Sequence, residues 1–115
     1  MTMQGGDKMD ITQTAFMLIL NAGNARSNAA EAEKYASEYN FKKAQELIKK
    51  AKEDLNAAHQ IQTDLIQAEA RGEQQQFGLI MVHAQDHLTM AMLSIDHAKS
   101  IMQVYQKLYQ YEKER

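Results

Sequence analysis

The stretch FGLIMVHAQDHLTMAMLSIDHAKSIMQVYQKLY, residues 77–109, carries the fold in its spacing. Phe77, Met81, Ala84, Leu88, Ala91, Ile95, Ala98, Met102, Tyr105 and Tyr109 succeed one another at alternating intervals of four and three, which keeps one face of a helix apolar over many turns. Upstream, Ile11, Ala15, Leu18, Ala22, Ala25, Ala29, Ala32 and Ala36 repeat the pattern with a seam that is mostly alanine. A third stripe runs through Phe41, Ala44, Ile48, Ala51, Leu55, Ala58, Gln62 and Leu65. The spacing predicts three helices: one ending near Ser37 to Tyr39, one over about 41–70 with Asn40 as its N-cap, and the longest from Phe77 to the C-terminus. Gly72 and the polar residues of ARGEQQQ, 70–76, interrupt the pattern between the second and third. Residues 1–9, with Gly5 and Gly6, read as a frayed lead.

The composition excludes the alternatives. A chain of 115 residues has the length of one domain, 1–115, and with no proline, five glycines, three Phe and five Tyr it lacks the turn residues and aromatics of a sandwich or barrel. Short connections between long helices leave an all-α, up-down-up antiparallel three-helix bundle. Leu79, Val82 and Leu93 form a second apolar strip well off the main stripe of the third helix, and a homo-oligomer is the economical way to cover it. Gly23, inside the first helix, costs about 1 kcal/mol against alanine unless packing requires it.

Thirteen basic and fifteen acidic residues are interspersed to a net charge of −2, so no nucleic-acid footprint is expected. The absence of cysteine removes disulfides, thiolate metal sites and thiol nucleophiles. Apolar runs such as Ala15 to Leu20 fall far short of a membrane span, and the first ten residues lack an apolar leader core, so a cytoplasmic location is expected.

Three of the four histidines, His83, His87 and His97, fall on the third helix along a seam flanking its core stripe. At about 100° per residue, His87 lies roughly 40° from His83, and Asp86 roughly 60° away on the other side, toward Leu79 and Leu93. HAQDH, 83–87, is thus a polar island in apolar surroundings. Three readings fit that spacing: a half-exposed helix face, a metal site built on histidines at i and i+4 with Asp86 as third ligand, or a nucleophilic imidazole that takes and passes on a group such as phosphoryl. No phosphate-binding loop accompanies it, so a phosphorylated histidine would receive its group from another protein. Asp86 is either solvated at the strip's edge or, if copies of it meet on an axis, neutralised there by a cation or protons. His59 lies beside the second helix's stripe, Gln85 points almost opposite His83, and His97 reads as a seam residue; all three are expected to be structural.

LILNAGNARSNA (18–29), LNAAHQIQTDLI (55–66) and LIMVHAQDHLTMAM (79–92) together resemble the IIA component of the lactose/cellobiose family of the phosphoenolpyruvate-dependent sugar phosphotransferase system. The resemblance runs from about residue 11 to the C-terminus. It implies a homotrimer of three-helix bundles in which His83 accepts a phosphoryl group from the phosphocarrier HPr and donates it to a cysteine of the IIB component during β-disaccharide uptake. It further implies that Asp86, in three copies on the trimer axis, binds one divalent cation such as Mg2+, with no nucleotide involved. His87 is a possible support, by hydrogen bonding the phosphoryl oxygens or orienting the ring, and membrane contact is indirect, through the IIC transporter. The competing class is a non-catalytic helical adaptor whose HAQDH caps an interface, which departures from the family motif would favour; none occurs. A dinuclear carboxylate bundle needs Glu three residues before His, and no histidine here has one.

Overall fold

The computed structural model describes residues 10–73 and 78–115. The expected frayed lead, 1–9, and Phe77 at the head of the third stripe lie outside the described residues. Three helices follow in order, α1 (Ile11–Ser37), α2 (Phe41–Ala70) and α3 (Leu79–Glu114), in a rod 69 Å long and 20 Å across. They form the all-α bundle that the three stripes predict.

Local chemistry sets the boundaries. Asp10 caps α1 by accepting from the Gln13 N–H at 3.2 Å, and Asn40 caps α2 by accepting from the Lys43 N–H at the same distance. Both following turns close in one way, with the second residue past the helix in the left-handed region and the next N–H reaching five residues back. After α2, Gly72 takes that position at φ 88, and the Glu73 N–H donates to the Ala68 carbonyl at 3.1 Å. After α1 the residue is Tyr39, at φ 64, and the Asn40 N–H donates to the Tyr35 carbonyl at 2.9 Å. A tyrosine there pays roughly 1–2 kcal/mol that glycine avoids. Its side chain explains why it is tolerated: the hydroxyl donates to Glu112 of α3, and the ring packs 4.9 Å from Tyr109 and 6.0 Å from Phe41.

α1 is the central helix, packing closely on both others, while α2 and α3 meet along a shorter line. Its alanines explain the closeness: Ala22, Ala25, Ala29, Ala32 and Ala36 are all buried, against Ala44, Leu47, Ile48 and Ala51 of α2 and Ala91, Ile95 and Ala98 of α3. Toward the other end the core changes character, and Leu18, Met81 and Leu88, the largest fully buried side chains, pack with Leu65. The stripe of α3 outruns this core. Met102 and Tyr105 are only half-buried and Tyr109 is exposed, because α1 has ended at Ser37 and only the α1–α2 turn remains to cover them. The second strip is bare: Leu79, Val82 and Leu93 are 84%, 54% and 64% exposed. Among the described residues no helix is long and apolar enough to cross a membrane.

Candidate functional site

α3 presents HAQDH one turn from its N-terminal end, braced from behind by the large side chains of the core. Ala84 and Leu88 are fully buried within it, which fixes the rotation of α3 and turns His83, Asp86 and His87 outward. The i, i+4 spacing brings the two imidazoles together: their Nε2 atoms lie 3.1 Å apart, and the rings meet edge to face with centroids 4.5 Å apart.

That contact constrains the protons. Two lone pairs or two N–H groups would repel at this distance, so one Nε2 donates and the other accepts. His87 Nδ1 is buried without a partner, whereas its Nε2 has one, so the His87 hydrogen belongs on Nε2. His83 then accepts through Nε2 and carries its own hydrogen on Nδ1. Burial holds the His87 pKa below its ordinary value, helped by the charges of His83 and Arg26 and opposed by Asp86. A neutral His87 is what this arrangement needs, because an imidazolium would carry a second hydrogen at the buried, unpartnered Nδ1.

His83 is exposed and, with Leu79, Ile80, Val82 and Asp86, lines an open, mostly apolar groove at the head of α3. Asp86 thus faces the apolar strip, as its helical angle predicts. No three His, Cys, Asp or Glu side chains converge on one point among the described residues, so a metal reading that relies on one chain's His83, His87 and Asp86 is not supported.

The remaining polar residues separate from this pair. Gln85 accepts from Gln62 Nε2 at 2.7 Å across the α2–α3 seam, on the side of α3 away from His83, which fits its expected structural role. His59 is half-buried. His97, read as a seam residue, is exposed and pairs through Nδ1 with Glu33 Oε2 of α1 at 2.9 Å, a contact across the α1–α3 boundary. Arg26 escapes sequence reasoning altogether. It stands on α1 amid an alanine seam, and only the packing of α1 against α3 brings its charge near His87; no spacing rule within one helix signals that.

Residues 13–106 match the family described as the PTS system, lactose/cellobiose specific IIA subunit. The lichenan-specific phosphotransferase enzyme IIA component of Bacillus subtilis (strain 168) is 43% identical over 99 residues, which span 86% of this chain and 90% of that protein. Among solved structures, the cellobiose-specific enzyme IIA from Bacillus anthracis superposes with a TM-score of 0.86 at 44% identity, covering 90% of this chain and 94% of that one. Solution structures of the IIA(Chitobiose)–HPr complex of the Escherichia coli phosphotransferase system superpose with a TM-score of 0.77 at 32% identity, covering 89% of this chain and 99% of that one.

Proposed function

Because this chain belongs to the lactose/cellobiose-specific IIA family of the sugar phosphotransferase system, we propose that it relays a phosphoryl group through His83, from phospho-HPr to a cysteine of a IIB component, during uptake of a β-linked disaccharide. The observation that carries this reading is the imidazole pair, an exposed His83 whose Nε2 lies 3.1 Å from Nε2 of the half-buried His87, on an open apolar groove.

The pair has the chemistry the relay needs. A nitrogen lone pair of His83 attacks phosphorus, the bond from phosphorus to the donor breaks, and its electron pair leaves with HPr. In the second step a IIB thiolate attacks the same phosphorus and the P–N electron pair returns to the imidazole. The two steps together leave this chain unchanged, as a carrier requires. His87, donating through Nε2, holds the His83 ring before transfer and can turn the same hydrogen to a phosphoryl oxygen afterwards. The apolar groove beside His83 offers a surface on which two different partners dock in turn.

Assembly belongs to the same proposal. A C3 homotrimer covers Leu79, Val82 and Leu93 on one axis, where three Asp86 carboxylates converge. Like charges so placed raise one another's pKa unless a cation lies among them. One chain offers that cation a single carboxylate, so the donor set fits only a shared ion; Asp86 from each copy would hold Mg2+ or another divalent cation, whose contribution is charge neutralisation in assembly. The carrier works in the cytoplasm and meets the membrane only indirectly, through the IIC transporter.

Incubation with phosphoenolpyruvate, Enzyme I and HPr should add one acid-labile phosphoryl group per chain, and none to His83→Ala. Phosphate still taken up by His83→Ala would overturn the assignment.

A further inference from the structure

The polar face that α1 turns toward the histidine pair is used by neither the bundle core nor the relay as described so far. Gly23, Arg26, Ser27 and Ala30 of α1, with Ser94 of α3, line a shallow groove that ends at Glu33. The register of the two helices follows from one contact, His97 on Glu33. α1 and α3 run parallel, so counting back from that pair sets Gly23 level with His87 and Arg26 less than one turn beyond it. Long helical side chains lean toward the N-terminus of their own helix, which carries the Arg26 guanidinium back toward the histidines.

Three features leave that guanidinium available. His97 occupies the one carboxylate of the groove, Glu33. Arg26 itself lies within 4.0 Å of no carboxylate among the described residues. Small side chains keep the space open: a methyl group added at Gly23 would meet nothing within 4 Å. A half-buried cation without a counter-ion among the described residues, about two helical turns along the α1–α3 seam from the exposed His83, is a poor structural element and a good receptor for an incoming anion.

We propose that Arg26 is the cationic ligand of the phosphoryl group on His83, binding its oxygens as the group arrives and while it resides there. The inference rests on the relay reading and extends it. During transfer the P–N bond to His83 forms as the bond to HPr breaks, and negative charge on the phosphoryl oxygens is never relinquished. Arg26 from α1 and the Nε2–H of His87 from α3 then donate to those oxygens from two sides, the guanidinium with the planar, paired geometry that suits phosphate.

The test measures single-turnover phosphorylation by phospho-HPr across a range of phospho-HPr concentrations, with wild type, Arg26→Gln and Arg26→Lys. Arg26→Gln is expected to lower the maximal transfer rate about 100- to 1000-fold, the order seen when a positioned donor to a developing anion is removed. It should still reach one phosphoryl group per chain at the end point, and Arg26→Lys should recover most of the rate. Thermal unfolding should match wild type in both variants, since the side chain holds no ion pair. A wild-type rate in Arg26→Gln overturns the proposal. So does a change confined to the half-saturating phospho-HPr concentration, which makes Arg26 a docking residue, or an equal loss in both variants with a lowered melting temperature, which makes it structural. A wild-type chain that takes up no phosphate at all overturns the relay reading itself.

Discussion

At the α1–α2 turn, Tyr39 hydrogen bonds to Glu112 and stacks with Phe41 and Tyr109, and behind it α1, α2 and α3 close on a core of nine alanines with Leu47, Ile48 and Ile95. At the opposite end, where α2 stops and α3 begins, the core is built from Leu18, Leu65, Met81 and Leu88, and the surface is left unfinished. There Leu79 and Val82 stand exposed and His87 Nδ1 is buried without a partner among the described residues, while Arg26, farther along α1 beside the alanine core, has no counter-ion among them. The two turns differ in the same sense. Gly72 takes its left-handed conformation without strain, while Tyr39 takes it at a cost that its contacts offset. One end is closed within a single chain, and the other leaves an apolar strip and His83 exposed. Large, interlocking side chains lie behind the second and give the histidine proposed to carry the phosphoryl group a rigid base, whereas the alanine end rests on close approach of three backbones.

The largest effects separate the two cores. Leu88→Ala should destabilise the protein by about 2–5 kcal/mol, the range for deleting a buried leucine from a packed interior. Deletion cannot probe an alanine seam, but enlargement can: Ala29, 1% exposed, lies within the core where all three helices meet. Ala29→Leu should therefore cost about 1–3 kcal/mol through displaced helices. Urea unfolding monitored by circular dichroism measures both, and an Ala29→Leu protein as stable as wild type would mean that the alanine end is not close-packed.

These cores were legible in the sequence because a 3–4 spacing is a local property. Every buried stripe residue of α1 was placed by counting, and Asn40 marked the start of α2 because a cap is chemistry within one turn. The exposed strip of Leu79, Val82 and Leu93 was legible for the same reason. Counting failed where a neighbour on another helix decides the outcome. Tyr109 continues the α3 stripe beyond the point where α1 exists to meet it, and Glu33 as the partner of His97 is unreadable in advance, because the register of α1 on α3 is written in no single helix. At the candidate site, the closeness of His83 and His87 was legible as an i, i+4 pair, whereas Arg26 depends on that same inter-helix register.

The next effect in size tests whether the unfinished end is an assembly surface. Val82→Glu should yield a monomer by light scattering at micromolar concentration while wild type sediments as a trimer. Its helicity should be unchanged, because Val82 is 54% exposed in the single chain and a surface change there shifts folding by about 0.5 kcal/mol or less. A wild-type monomer would leave the strip without its proposed purpose. Asp86→Leu should act in the other direction, preserving or strengthening the trimer and abolishing any dependence on divalent cation, since replacing converging charge by apolar surface removes its desolvation cost. Phosphorylation of His83 should survive it. An intact trimer that no longer accepts phosphate would move Asp86 from assembly into the transfer step.

The smallest effect sets the two ends against each other through pH. His87 has its folded pKa below the ordinary 6.5, so its neutral form is the one the fold favours. Its contribution is therefore present above 6.5 and is lost as pH falls from there through the lowered value, when the unfolded chain takes up a proton that the folded chain resists. Tyr39 is the reverse case. Its hydrogen bond to Glu112 pushes its pKa from 10.0 up to about 12, so the contribution is present below 10 and lost as pH rises through about 12. Both groups lie near solvent and each effect should be small, but the signs are opposite and the places differ. Thermal melts from pH 5 to pH 11 should show a shallow acid limb that His87→Gln flattens and a shallow alkaline limb that Tyr39→Phe flattens, each substitution leaving the other limb in place. Hydrogen exchange locates the change: acid should loosen the head of α3 around His83 first, and alkali the α1–α2 turn with the last turns of α3. If acid instead loosened the Tyr39 end first, the contrast between a finished and an unfinished end would fail at its most local point, because the group that titrates there would not be the one left without a partner.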